Sequence, residues 1–151
     1  MDADATIAAI RENLRELGLP VTDGPTPSHL EFDVTGTTGV WTTYLWLRAA
    51  ENQIVLHSVV RFAVPAERRD AVALYLTRAN FGLAVGNFEL DLDDGELRFK
   101  TSIDFGESPL DLEMLRRHVG ISLRTVDRYL PGVVSVIDGA SPKEAARALE
   151  A

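Results

Sequence analysis

The sequence contains no cysteine. Disulfides and thiolate metal sites are therefore excluded, and any covalent nucleophile would have to be a Ser, a Thr, a Lys or a carboxylate. Positive charge is scarce too. Only Lys100 and Lys143 are lysines, and 15 basic residues stand against 23 acidic ones, for a formal net charge of −8 and a pI near 4.8. That balance argues against direct nucleic-acid binding or residence on an anionic membrane. No apolar run approaches the ~20 residues of a membrane span. No basic segment followed by an apolar stretch marks a secretory signal at the N-terminus, so a cytoplasmic location is expected. Missing as well are the G-x-S-x-G elbow, the H-E-x-x-H pair, the phosphate-binding G-x-x-x-x-G-K-[ST] loop and the G-x-G-x-x-G fingerprint. The three histidines, His29, His57 and His118, fall on separate predicted elements. Nothing here implies a cofactor or a metal, and no catalytic residue is assigned.

What the chain does have is apolar content, 46% of 151 residues, enough for one α+β domain spanning residues 1–151 without covalent staples. Ile7, Ile10, Leu14 and Leu17 recur at helical spacing between possible caps at Asp4 or Thr6 and a stop at Gly18 and Pro20. Thr22–Ser28, rich in Pro and Gly, reads as a loop. Leu30–Val34, Val40–Leu47 and Ile54–Phe62 read as strands, Ala66–Ala79 as a helix after Pro65. Asn87–Asp93 and Glu96–Phe105 form a hairpin about Asp94-Gly95. A long helix then begins near Leu110, with Ser108 as a possible cap and an interruption or a kink at Pro131-Gly132. A short last helix opens at Ser141-Pro142. The predicted order is α-β-β-β-α-β-β-α-α: about five mainly antiparallel strands with flanking helices.

Five carboxylates, Glu89, Asp91, Asp93, Asp94 and Glu96, crowd into eight residues. The spacing does not match a calcium loop, because Gly95 is misplaced and the twelfth position from Asp91 is Ser102. With a two-residue turn, Asp91 would face Arg98 and Glu89 would face Lys100 on a solvated side. Leu90 would face Phe99 and Leu92 would face Leu97 on an apolar one. A soluble hairpin explains the run better than a weak cation site.

The preceding hairpin is apolar on both sides. For a two- or four-residue turn centred on Glu51-Asn52, Leu45, Leu47, Ala49, Ile54, Leu56 and Val60 share a core face. Tyr44, Trp46, Arg48, Val55, His57, Val59 and Arg61 then share the other, with Trp46 across from His57; an odd turn would exchange the faces. An antiparallel sheet with one wet face should alternate cleanly, so something covers this second side. Either a helix of the same chain lies on it or a protein partner does. Aromatic residues and Arg are enriched at protein contacts, which makes Tyr44, Trp46, Arg48, His57, Val59 and Arg61 the candidate partner-binding set.

Several strings carry a family resemblance: Asn80-Phe81-Gly82-Leu83, Gly86 to Asp91, Asp94 to Thr101, Asp127-Arg128-Tyr129-Leu130-Pro131-Gly132 and the closing Ala145-Ala146 helix. Together they resemble the YbjN domain family across about Ile7 to Ala148. That resemblance implies the fold of type III secretion chaperones, often homodimeric, in proteins regarded as regulators of sensory transduction, and it supplies no catalytic residues. The expected function is therefore a non-enzymatic, homodimeric protein-binding module, chaperone-like or a regulatory adaptor. A client segment or second subunit would cover Tyr44, Trp46, His57 and Val59, while Arg48 and Arg61 select acidic neighbours. The alternatives are a small-molecule sensor with its ligand between sheet and long helix and, last, an enzyme using Asp104, Glu107 and Asp111.

Overall fold

The computed structural model describes residues 1–150. Four helices, α1 (Ala3–Glu16), α2 (Arg69–Phe81), α3 (Leu112–Ile137) and α4 (Pro142–Glu150), accompany six strands. These are β1 (Thr22–Asp23), β2 (His29–Thr35), β3 (Val40–Arg48), β4 (Gln53–Ala63), β5 (Asn87–Leu90) and β6 (Glu96–Asp104). They form one antiparallel sheet in the order β1-β2-β3-β4-β6-β5. The α+β expectation holds, with a sixth strand. It is β1, a two-residue edge inside the stretch expected to be all loop, where Thr22 and Asp23 pair with Glu31 and Leu30.

The helices share one face of the sheet. Ile7, Ile10 and Leu14 of α1 and Leu115 and Val119 of α3 pack with Leu30, Phe32, Leu45, Leu47, Ile54, Leu56 and Ile103. Farther along, Val72, Tyr75 and Leu76 of α2, Val126, Leu130 and Val133 of α3 and Ala145 of α4 close over Trp41, Val60, Phe88, Leu97 and Phe99. Helix α3 thus spans both clusters, as its long apolar stripe requires. Between them the buried hydroxyls of Thr43 and Ser58 satisfy each other at 2.9 Å.

Caps differ in position from the sequence reading but not in kind. Asp2, not Asp4 or Thr6, accepts from the Ala5 N–H at the start of α1. Asp111, not Ser108, accepts from Glu113 and Met114 at the start of α3. Helix α3 also runs unbroken through Pro131, where an interruption was expected. Proline removes one backbone donor and crowds the preceding turn, but Leu130, Val133 and Val136 are buried on both sides of it. Gly132 lets α2 approach there: a Cβ on it would lie 2.1 Å from the Tyr75 hydroxyl, which donates to the Tyr129 carbonyl at 2.8 Å.

Both hairpins are wider than two residues. Arg48 pairs with Gln53, so Ala49–Asn52 forms the loop, closed by a 3-10 turn with Asn52 at φ 54°. Trp46 therefore faces Val55, and Tyr44 faces His57. In the acidic hairpin Glu89 pairs with Arg98 and Leu90 with Leu97. The Asp91 N–H donates to Glu96, and Leu92, expected to face Leu97, is exposed in the loop. Side chains of Asp91 and Asp94 accept from the N–H groups of Asp93 and Glu96, which stabilises the wider turn. Gly95, at φ +85°, passes so close to Val64 that a Cβ would sit 2.3 Å from its carbonyl oxygen. Each register moves by two, an even slip, so the side chains that stay in the ladder keep their predicted faces, while Leu92 leaves the apolar face for the loop.

Candidate functional site

The side of the sheet away from the helices carries side chains in rows fixed by the register. One row runs Glu31, Tyr44, His57, Lys100, Asn87 across β2, β3, β4, β6 and β5. The row on one side of it is Asp33, Thr42, Val59, Arg98, Glu89, and on the other His29, Trp46, Val55, Ser102. The expected set of Tyr44, Trp46, Arg48, His57, Val59 and Arg61 thus shares this face. No helix of the chain is packed into the rows, because the residues that meet the helices are those of alternate parity. Of the two coverings the sequence allowed, a helix of the same chain is excluded.

At the centre lie Tyr44, Trp46, Val55, His57 and Val59, all on β3 and β4. Trp46 is 39% exposed, while Trp41, on the core face of the same strand, is 1% exposed. His29 stacks on Trp46 with ring centres 5.5 Å apart and planes 8° from parallel. The Arg48 guanidinium lies 5.1 Å from the Trp46 ring. Both contacts favour this orientation of the indole. His29 was not among the expected contact residues. Its place opposite Trp46 comes from the β2–β3 register, set across the Gly36–Gly39 turn.

Charged groups frame this centre in three networks. Arg48 donates to Gln53 Oε1 at 2.8 Å and pairs with Glu51 at 3.3 Å, and Gln53 donates to Asp104 at 3.0 Å. Arg61 pairs with Asp33 and shares it with Thr42, whose hydroxyl donates at 2.8 Å. The hydrogen bonds from Arg61 and then Thr42 hold the Asp33 carboxyl below its ordinary range. Both arginines expected to select acidic partners are thus already engaged within the chain. On β5 and β6 one carboxylate serves two cations: Glu89 accepts from Arg98 Nε at 2.7 Å and from Lys100 Nζ. Burial is the largest influence on Glu89 and pushes it up, yet the hydrogen bonds and charges of Lys100 and Arg98 outweigh it and bring it to about 2. His57 is moved down by burial first and by the charge of Arg98 next, Lys100 adding to this and Glu89 opposing. It is therefore mostly neutral at neutral pH.

Asp104, Glu107 and Asp111 do not gather into a reactive set. Asp104 accepts from Gln53 and from the Gly106 N–H, which lower its pKa, and Asp111 caps α3. Among the described residues no group of three His, Asp or Glu side chains is placed to hold a metal ion. Nor is any helix among the described residues long and apolar enough to cross a membrane. The interface between sheet and α3 is filled by Leu115, Val119 and Val126. An open cleft of about 650 Å³ lies instead at the start of α1 and of α3, lined by Met1, Ala5, Ala9, Phe105, Pro109 and Leu112 among others.

A six-stranded antiparallel sheet with the helices on one side and an open face on the other defines an α+β protein. The chain belongs to the YbjN family, whose model, described as "Putative bacterial sensory transduction regulator", matches residues 6–135. A crystal structure of YbjN from E. coli, described as a "putative transcription regulator", is similar with a TM-score of 0.62 and 17% identity, over 87% of each chain. A second similar structure is the HopA1-SchA chaperone-effector complex, with a TM-score of 0.52 and 14% identity over 83% of this chain and 92% of that one. Both show the likeness in fold that the resemblance implied. No curated protein sequence matches the chain.

Proposed function

We propose that this protein is a non-enzymatic, cytoplasmic protein-binding module, a regulatory adaptor or a chaperone, that works by docking a protein on its helix-free sheet face as a single YbjN-like domain and homodimer. The observation that carries the reading is the half-exposed Trp46, held between His29 and Arg48 beside Tyr44, Val55, His57 and Val59, on a face that no helix among the described residues covers. Rigid aromatic side chains of this kind supply contact area at small entropic cost and are over-represented among the residues that dominate protein interfaces. The surrounding Arg48, Arg61, Arg98 and Lys100 networks resemble a polar rim. The chaperone of the HopA1-SchA complex has a comparable fold and holds an effector, and the family description points to regulation. Both support a protein partner. Nucleic acid fits a chain of net charge −8 poorly.

The test is Trp46→Ala in a binding or self-association assay, with circular dichroism beside it. The reading expects affinity to fall at least tenfold while the melting temperature moves by about 2 °C or less, the behaviour of a surface position. Loss of fold with unchanged affinity would assign Trp46 to stability alone. A second reading, a small-molecule sensor, is favoured by the cleft beside Met1, Phe105 and Leu112. A metabolite that raises the melting temperature in a concentration-dependent way would support it.

A further inference from the structure

We propose that the open cleft at the starts of α1 and α3 binds a small amphipathic cation, an alkyl or aryl amine, with its apolar body in the cleft and its ammonium at Glu107. The inference rests on the second reading above, the small-molecule sensor, and names its site and ligand class. Docking on the sheet face is independent of it.

Three pieces of chain build the cleft. Helix α1 contributes Ala5 and Ala9, the segment joining β6 to α3 contributes Phe105 and Pro109, and the loop between β3 and β4 contributes Asn52. Ala5 and Ala9 stand about one helical turn apart, and side chains this short leave open the space a Leu would fill. The backbone around the cleft is tied together: the Phe105 N–H donates to the Asn52 carbonyl at 3.1 Å, and the Leu115 N–H to the Asp111 carbonyl at 3.1 Å. The volume, about 650 Å³, falls within the ~300–1,000 Å³ of sites that take small organic ligands. Such sites have mainly apolar walls and a few polar groups that fix orientation.

Charge decides which ligand suits those walls. No Lys or Arg lines the cleft, whereas Asp2 and Glu107 both do. Three lining residues also follow a carboxylate in the chain: Asn52 follows Glu51, Phe105 follows Asp104 and Leu112 follows Asp111. Four of these five carboxylates are engaged. Asp2 and Asp111 cap the two helices, Glu51 pairs with Arg48, and Asp104 accepts from Gln53 and the Gly106 N–H. Glu107 forms no ion pair among the described residues. The two caps also occupy N–H groups that would otherwise draw an anion to the helix starts. The one cation in the lining is the terminal ammonium of Met1. It pairs with no carboxylate, and Met1 is 60% exposed, so solvent screens it. An apolar cleft with a free carboxylate and no buried cation suits an apolar body that carries a positive charge, and it opposes a fatty acid.

The test titrates the full chain with n-octylammonium, n-octanol and octanoate, which share one apolar body and differ in charge, by calorimetry at low and high salt. Octylammonium is expected to bind about fivefold tighter than octanol, the scale of an exposed ion pair, and about tenfold or more tighter than octanoate. Its lead over octanol should shrink at high salt. Glu107→Gln should abolish that lead and leave octanol unchanged. Ala9→Leu should weaken both by filling the cleft; both positions are exposed, and circular dichroism checks that each variant folds. Ala5→Leu replaces Ala9→Leu if the latter unfolds. Octanol binding as tightly as octylammonium, or a lead that survives in Glu107→Gln, overturns the cation at Glu107 while the sensor reading stands. Binding that the Leu variants leave intact places the ligand elsewhere and overturns the site. If none of the three probes binds, the inference falls; a metabolite that still raises the melting temperature would then show that the sensor reading survives it, and a metabolite panel without effect would end both. A blocked basic tripeptide, acetyl-Lys-Phe-Lys-amide, is the last arm. Binding at least about tenfold tighter than octylammonium, lost in the same variants, would assign the cleft to a protein segment and overturn the small-molecule claim.

Discussion

The His29 imidazole lies flat on the Trp46 indole, 5.5 Å between ring centres, across the β2–β3 pair. With Arg48 also against the ring, the largest half-exposed side chain of the face has a favoured position before any partner arrives. Preorganisation of this sort lowers the entropic cost of docking. The chain has two tryptophans, and Trp41 is buried. Acrylamide should therefore quench one of two emitting populations in the free monomer, and docking should protect it. Quenching that stays the same across the whole association range would place Trp46 outside the interface.

His57 gives the face a pH dependence. Around it stand Tyr44 on β3, Arg98 and Lys100 on β6 and Glu89 on β5. Its pKa in the folded chain lies below 6.5, so a proton is bound less readily there than in the unfolded chain. Folding stability from this group is undiminished above about pH 6.5 and declines as pH falls from there toward the folded value. Docking that covers His57 disfavours its charge further. Affinity should accordingly weaken between pH 7.5 and 5.5, and His57→Gln should flatten that slope. An equal slope in the variant would show that other groups set it.

Glu89 works in the opposite direction. Its carboxyl sits at about 2 against an ordinary 4.5, a lowered value in the folded state. The stability it contributes is present above about pH 4.5 and is lost as pH falls toward 2. Because Arg98 and Lys100 are more than a third exposed, solvent screening limits the gain. Glu89→Gln is expected to cost about 1–2 kcal/mol at pH 7, and denaturant titrations of the two proteins should converge only as pH falls to about 2.

Asn80 guards an edge. Its side-chain amide accepts from the Phe88 N–H at 2.7 Å and donates to the Phe88 carbonyl at 3.0 Å, in the manner of a neighbouring strand. Strand β5 is the last in the sheet, and open strand edges invite pairing between chains. Asn80→Ala should cost about 1–2 kcal/mol and raise light scattering on warming. A variant as soluble as the wild type would remove the protective role.

Much of the fold was legible because alternation survives errors of register. The sequence placed Trp46 opposite His57 where Val55 stands, and Glu89 opposite Lys100 where Arg98 stands. Both slips were by two residues, and the faces stayed correct. The covering of the second face was not legible: local patterns show that a helix is amphipathic, not on which side of the sheet its connections place it. The His29–Trp46 contact escaped for a similar reason, since 16 residues, among them a turn anchored by Asp127 on Thr37, separate the two. Pro131 looked like a break because propensity alone counts the missing donor, while Tyr75 against Gly132 and the buried valines beyond are tertiary. Gly132→Ala should consequently destabilise by about 1–3 kcal/mol through overpacking, where the same change at an exposed helical glycine would stabilise; a neutral change would deny the close approach.

The absence of native thiols offers the most direct examination of the docking face. A cysteine introduced at Val59, in the open centre, can carry a short photocrosslinker, with a cysteine at the exposed helical position Ala8 as control. Irradiation of purified chain in its associated state, and of cells expressing it, should give covalent protein adducts from position 59 and essentially none from position 8. Adducts from both positions alike, or from position 8 alone, would contradict the claim that this protein acts through the helix-free face of its sheet.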